Sequence, residues 1–329
     1  MLDTVLGAVL PMVVTLLLGF VAAWHHDFRS ADASILNRMV LVYAVPLALF
    51  AGTVTTSRAH LTQDIPLVIA LCVAIIGLYG VVLLLCRLAL RLPMNISALT
   101  ALSAAAPAVP FVGPAVLGDL FGSASAIPIA IASLVINLTV VPVTLLLMAL
   151  NSTEGDSQGT NIGAEERRAL APHPPSQLSV LTAKLAETLK APIVWAPVLG
   201  FVFVLVGLRI PQLIVHSLSM LGQASGGVAL FASGIVLASA PIKIGRRVLS
   251  VVFLKIFLQP ALVLVGLRLL GYRNPIVTEA VLTTAIPVMP IVIMFAVKFR
   301  VGVPEAASIV LLSVIGSVIT MGLFLALTS

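Results

Sequence analysis

Ser103 to Gly118 reads SAAAPAVPFVGPAVLG, an uncharged stretch in which Pro107, Pro110, Gly113 and Pro114 fall where a helix would have to run on. A mid-helix proline lacks the backbone donor and clashes with the preceding turn, at a cost of about 3 kcal/mol. In hydrocarbon no water satisfies the freed carbonyls, so such a break is tolerated only inside a protein or along a cavity. The same device recurs at Ile286-Pro287-Val288-Met289-Pro290, so two P-x-x-P interruptions stand 180 residues apart.

The surroundings are those of a membrane protein. Of the 329 residues 60% are hydrophobic and only 9% charged, with a mean hydropathy of +1.19. Soluble domains carry roughly 25% charged residues. Apolar stretches of membrane-crossing length are expected near 4–24, 34–53, 64–88, 96–118, 125–150, 192–208, 213–240, 247–269, 276–298 and 305–327. The first has no basic flank and stays apolar to its end, which argues against a cleaved signal peptide. The net charge of +6 needs no nucleic acid to explain it. With both termini outside, thirteen basic residues from Arg29 to Arg300 lie on inner segments, and only Arg58, Arg209, Arg268 and Arg273 on outer ones.

Residues 151–176 form a polar linker rich in Gly, Pro and Ser, followed by an amphipathic stretch, Gln177 to Lys190. The expected organisation is therefore a first five-helix half (1–150), a cytoplasmic linker (151–191) and a second five-helix half (192–329). The halves echo one another. At an offset of 181, Pro11, Gly19 and Phe20 match Pro192, Gly200 and Phe201, and Ala48-Leu49-Phe50 matches Ala229-Leu230-Phe231. Arg87-Leu88 likewise matches Arg268-Leu269. Five spans per half is an odd number, so the repeat has to be inverted. The expected fold is an all-α membrane protein of ten transmembrane helices in a 5+5 inverted repeat, with spans four and nine proline-broken.

Inverted repeats of this kind place a substrate near the midplane, where two broken helices cross. Ala106, Pro107, Val109, Pro110 and Phe111 on one side, with Pro287, Val288, Met289, Pro290 and Ile291 on the other, are the expected substrate-binding residues. Half-helix N-termini opening at Pro110 and Pro290 would present unpaired N–H groups to an anion. The plainer reading, kinks in packed helices, explains one such proline better than two related pairs.

Lys255 lies eight residues past Arg247, so about 12 Å into the bilayer by helical rise. An ionisable group at that depth is expensive and by default functional. It can attract a carboxylate, stand in for a coupling cation, snorkel to the interface or bond a helix end. Tyr43 and Gln223 sit where they could face the crossing, and Asn137, deep in the fifth span, joins Lys255 as a coupling-ion candidate. His25, His26 and Asp27 read as a solvated cluster at a span end, and neither a metal site nor a cofactor is expected.

Several of these residues resemble the auxin efflux carrier family, which includes PIN-FORMED auxin carriers and bacterial malate and malonate carriers. The resemblance rests on Leu36-Asn37, Tyr43 and Pro46 to Phe50, on the broken fourth span with Leu120-Phe121-Gly122, and on Ala229-Leu230-Phe231 with Gly234. It continues through Lys255, Gln259-Pro260, Pro287 to Pro290 and Pro304 to Ser308. It implies ten helices divided into a scaffold and a transport unit, and elevator-like transport of organic anions coupled to protons or sodium. It also implies residence in the cell (inner) membrane and homodimers formed through scaffold helices. Many members carry an asparagine before the fourth-span break, where this chain has Ala104-Ala105-Ala106. That departure argues against auxin-like recognition and is most similar to the malonate branch.

Other functions fit less well. A cation/proton antiporter needs acidic residues at the crossing, and the nearest, Asp119 and Glu279, lie toward span ends. A sodium-coupled symporter similar to bile-acid carriers remains open. For an intramembrane enzyme, Ser225-Gly226-Gly227 has no base in reach by sequence pattern.

Overall fold

The computed structural model describes residues 2–55, 65–151, 190–208, 210–239 and 242–328. Of the linker expected over 151–176 and the amphipathic stretch expected over 177–190, residues 152–189 lie outside the described residues.

Among the described residues regular structure is helical, apart from one isolated antiparallel bridge between Pro107 and Val288. The helices are α1 (Leu2–Trp24), α2 (Ser30–Met39, through a π turn Val40–Ala44 into Val45–Val54) and α3 (Ile65–Cys72, continuing to Leu85–Ala89). They go on with α4 (Met94–Ala105), α5 (Val109–Phe121), α6 (Ala126–Val135, through a π turn Ile136–Val140 into Val141–Leu150) and α7 (Pro192–Val206). The last five are α8 (Gln212–Ser239), α9 (Arg246–Phe253, through a π turn Leu254–Leu258 into Gln259–Leu269), α10 (Ile276–Ala285), α11 (Ile291–Phe299) and α12 (Val303–Thr328).

Six of these, spanning Ala31–Val54, Ile65–Ala89, Ala126–Leu150, Gln212–Ser239, Arg246–Leu269 and Val303–Thr328, are long and apolar enough to cross a membrane. Their outward faces carry bare aliphatic side chains such as Val73, Leu213, Leu269 and Ile319, each more than 60% exposed, as hydrocarbon rather than water would favour. The helices interrupted at residues 106–108 and 286–290 are absent from that set because each is cut into two short pieces.

Three of the π turns have a local cause. Pro46, Pro142 and Pro260 each stand second in the helix that follows one. A proline cannot donate to the carbonyl four residues back and its ring pushes that carbonyl aside, so the helix widens for a turn. A further π turn in α3, Val73–Gly77, stands at an offset of 181 from the one in α9.

Two packing groups emerge. α1 crosses α8, while α7 and α8 both pack on the second part of α2. The α1–α8 crossing is close enough that a methyl at Gly19 would run into the Phe231 carbonyl, and one at Gly234 into the Leu16 carbonyl. The α7–α2 crossing repeats the theme, since a methyl at Gly200 would sit 3.2 Å from the Phe50 carbonyl oxygen. The second group brings α3 onto α4, α4 onto α6, α9 onto α10 and α10 onto α12. Its centre is the broken pair. Every residue from Ser97 to Val109 and from Val277 to Ala296 is buried. An apolar helix buried all round belongs to a protein interior, and here that interior shelters the two chain breaks.

Candidate functional site

The first break opens where Ala106 leaves the helical region (φ −94°, ψ 105°), and the second where Ile286 does (φ −55°, ψ 137°). Each residue just ahead of a proline is pushed toward extended backbone by the proline ring. Two extended segments therefore face one another inside the bundle, and they pair. The Ala108 N–H donates to the Pro287 carbonyl at 2.9 Å, and the Met289 N–H to the Ala106 carbonyl at 3.3 Å. An offset of 181 converts either bond into the other. The remaining donor, the Val288 N–H, goes to the Ser313 hydroxyl on α12 at 3.2 Å. These three backbone donors are thus satisfied by protein, as a break at membrane depth requires.

Four short helices end at this junction. α4 and α10 point their C-terminal carbonyls at it, while α5 and α11 begin from it. Pro110 stands in the first turn of α5, which starts one residue earlier than the sequence suggested, and Pro290 caps α11. Both are positions where a missing N–H costs little.

The lysine expected deep in span eight serves the carbonyl ends. Lys255 lies in the π turn of α9 and is 0% exposed, so it does not snorkel. Its ammonium donates to the Thr284 carbonyl, in the last turn of α10, and to the Gln259 side-chain oxygen, both at 2.7 Å. The Gln259 amide nitrogen then donates to the Ala105 carbonyl at the end of α4 (3.2 Å) and to the Ala74 carbonyl of α3 (3.0 Å). One pair of side chains on α9 therefore reaches the C-terminal ends of both interrupted helices. At the matching offset α3 carries Ala74 and Leu78, so the arrangement is one-sided.

Most of the other expected residues gather at the junction. Ala106, Pro107, Val109, Pro287, Val288, Met289 and Ile291 are buried at the junction. Phe111 falls in the first turn of α5 and Gln223 within α8. Tyr43, in the π turn of α2, is 60% exposed. Asn137 is buried in the π turn of α6, which packs on α7 and on the π turn of α3.

Gln259, Thr284 and Ser313 were missed. Gln259 stands four residues after Lys255, hence on the same helix face, which was the available signal. Two further buried polar atoms, Asn37 Nδ2 and Ser225 Oγ, have no hydrogen-bond partner. Asn37 lies on the stripe Ala33–Asn37–Val40–Ala44, on a helix that packs against α8 and α11. An apolar cavity of about 480 Å³ between α3 and the second part of α9 has Gln259 in its lining, among Val73, Ala74, Gly77, Val263 and Gly266.

Long apolar helices, a lipid-like outer surface and two chain breaks buried within it define a multi-pass membrane protein. Comparison with known sequences agrees. The model of the membrane transport protein family matches residues 4–325. The chain is 29% identical to the uncharacterized transporter YfdV of Escherichia coli (strain K12) over 328 residues, covering 99% of this chain and 98% of that one. The same figures hold for YfdV of Shigella flexneri. Auxin efflux carrier component 3 of Arabidopsis thaliana is 26% identical over 164 residues, which is 47% of this chain and 26% of the plant protein. The chain belongs to the membrane transport protein family, and its relatives are transporters rather than enzymes.

Proposed function

We propose that the protein is a secondary active transporter of small organic anions, malonate or a related short dicarboxylate. In this reading ten spans form two inverted five-span halves, with both termini outside an inner membrane and the 151–191 linker in the cytoplasm. The packing group of α1, α2, α7 and α8 is the scaffold. The group around the breaks moves against it as an elevator and carries the substrate held at the junction.

The observation that carries this reading is the pairing of Ala106–Ala108 with Pro287–Met289. Two bonds interchanged by one offset are what a two-fold between inverted halves would produce, and such a crossing is where this architecture holds its substrate. The matching π turns of α3 and α9, and the reciprocal contacts of Gly19 with Phe231 and Gly200 with Phe50, support the same two-fold. An organic anion fits because α5 and α11 both begin at the junction, and helix N-termini favour negative charge. Cation/proton antiport fits less well, since both acceptors of the Lys255 ammonium are neutral oxygens rather than carboxylates.

The test is uptake of labelled malonate into proteoliposomes under an imposed proton gradient in sodium-free medium. Saturable uptake, competed by unlabelled malonate and less by monocarboxylates, is expected. Uptake that appears only with sodium would make sodium rather than the proton the coupling ion of this carrier. Folded protein that moves no carboxylate under either gradient would overturn the organic-anion reading.

A further inference from the structure

The surroundings of Lys255 are those of a bound cation. Its two acceptors, the Thr284 carbonyl and Gln259 Oε1, both lie at 2.7 Å and carry no net charge. The Ala105 carbonyl is one hydrogen bond further on, through Gln259. Thr284 lies in the last turn of α10 and Ala105 ends α4, so two helix C-termini, each carrying negative partial charge, are bridged by the Gln259 side chain beside the ammonium. In interrupted-helix transporters such ends and unwound carbonyls are the groups that coordinate a coupling cation. Carbonyl oxygens can replace the hydration shell of an alkali ion, and an ammonium group is close to potassium in size.

We propose that the Lys255 ammonium is a tethered cation occupying an alkali-cation cage formed by the Thr284 carbonyl, the Gln259 side-chain oxygen and the neighbouring Ala105 carbonyl. The wild-type protein consequently binds no sodium or potassium there, and removing the ammonium while leaving its space uncovers the site. Any role of this fixed charge in coupling rests on the transporter reading. The cage itself does not.

The experiment is thermal unfolding of purified protein in detergent, with sodium, potassium, lithium or choline chloride at equal ionic strength. Wild type should show the same midpoint in all four salts. Lys255→Ala should start lower and gain a saturable rise with one alkali cation, about 2 °C at tenfold the apparent dissociation constant. Lys255→Met, which fills the space without charge, and the double variant Lys255→Ala with Gln259→Leu should lose that rise. An alkali-specific rise in wild type, or none in folded Lys255→Ala, overturns the proposal. If Lys255→Ala does not yield folded protein, extraction in each salt decides: recovery of monodisperse protein with sodium, potassium or lithium but not choline supports the cage, and no recovery overturns it. Because unfolding needs no substrate, failure of malonate uptake and failure of the cage are separate results.

Discussion

Ala108 donates its backbone N–H to the carbonyl of Pro287 at 2.9 Å, so two helices interrupted far apart in sequence meet through main chain. The consequence is a junction whose shape depends little on side chains. Its neighbours Ala104, Ala105 and Ala106 are small and fully buried, and polarity comes from peptide groups and from the few side chains that reach them.

Ser313 is one of those few. Its hydroxyl accepts from the Val288 N–H, and Ser313→Ala leaves that donor buried without a partner. A loss of about 1–3 kcal/mol is expected. Thermal unfolding should show a lower midpoint for Ser313→Ala, with Ser313→Thr closer to wild type because it keeps the acceptor. An unchanged midpoint for Ser313→Ala would mean the N–H finds another acceptor.

Gln259 links one ammonium and two backbone carbonyls at once. Replacing it by leucine removes an acceptor from the Lys255 ammonium and a donor from the Ala105 and Ala74 carbonyls. Breaking one side of a buried charged network costs about 3 kcal/mol or more. Gln259→Leu should therefore be the most destabilising single change in the second part of α9. Leu262→Gln, at a position 57% exposed, serves as the comparison in the same unfolding assay.

The breaks were legible because proline has one physical consequence wherever it stands, and its two appearances share a spacing. The buried polar service around them was much less so. Lys255 announced itself as a charge in an apolar span, but its acceptors are carbonyls, and every residue has a carbonyl. Which of them lies within 2.7 Å follows from how α9 packs on α10, not from the identity of Thr284. Tyr43 shows a different difficulty. Apolar positions surround it on every side, so hydrophobic periodicity says little about which way the helix turns this residue, and its 60% exposure follows from packing alone.

The glycines of the α1–α8 crossing can be tested against glycines elsewhere. Gly19→Ala and Gly234→Ala each drive a methyl into a backbone carbonyl of the facing helix, whereas a methyl at Gly227 meets nothing within 4 Å. Overpacking of this kind costs about 1–3 kcal/mol, while glycine to alanine in an open helix position gains roughly 0.5–1 kcal/mol. Lower midpoints for the first two variants and an equal or higher one for Gly227→Ala are expected. Equal midpoints for all three would show that the helices separate readily.

Asn37 joins stability to function. Its side-chain nitrogen is buried without a partner on a helix that touches both α8 and α11, one element from each packing group. An unsatisfied buried donor costs about 1–3 kcal/mol, so Asn37→Leu should raise the unfolding midpoint. If α11 slides past α2 during transport, the amide gains its partner in the other arrangement, and the same substitution should slow malonate uptake. A variant that is more stable and slower is the expected result. One that is more stable with uptake unchanged would remove Asn37 from the moving interface, and one that is less stable would show that the amide is already bonded in the resting protein.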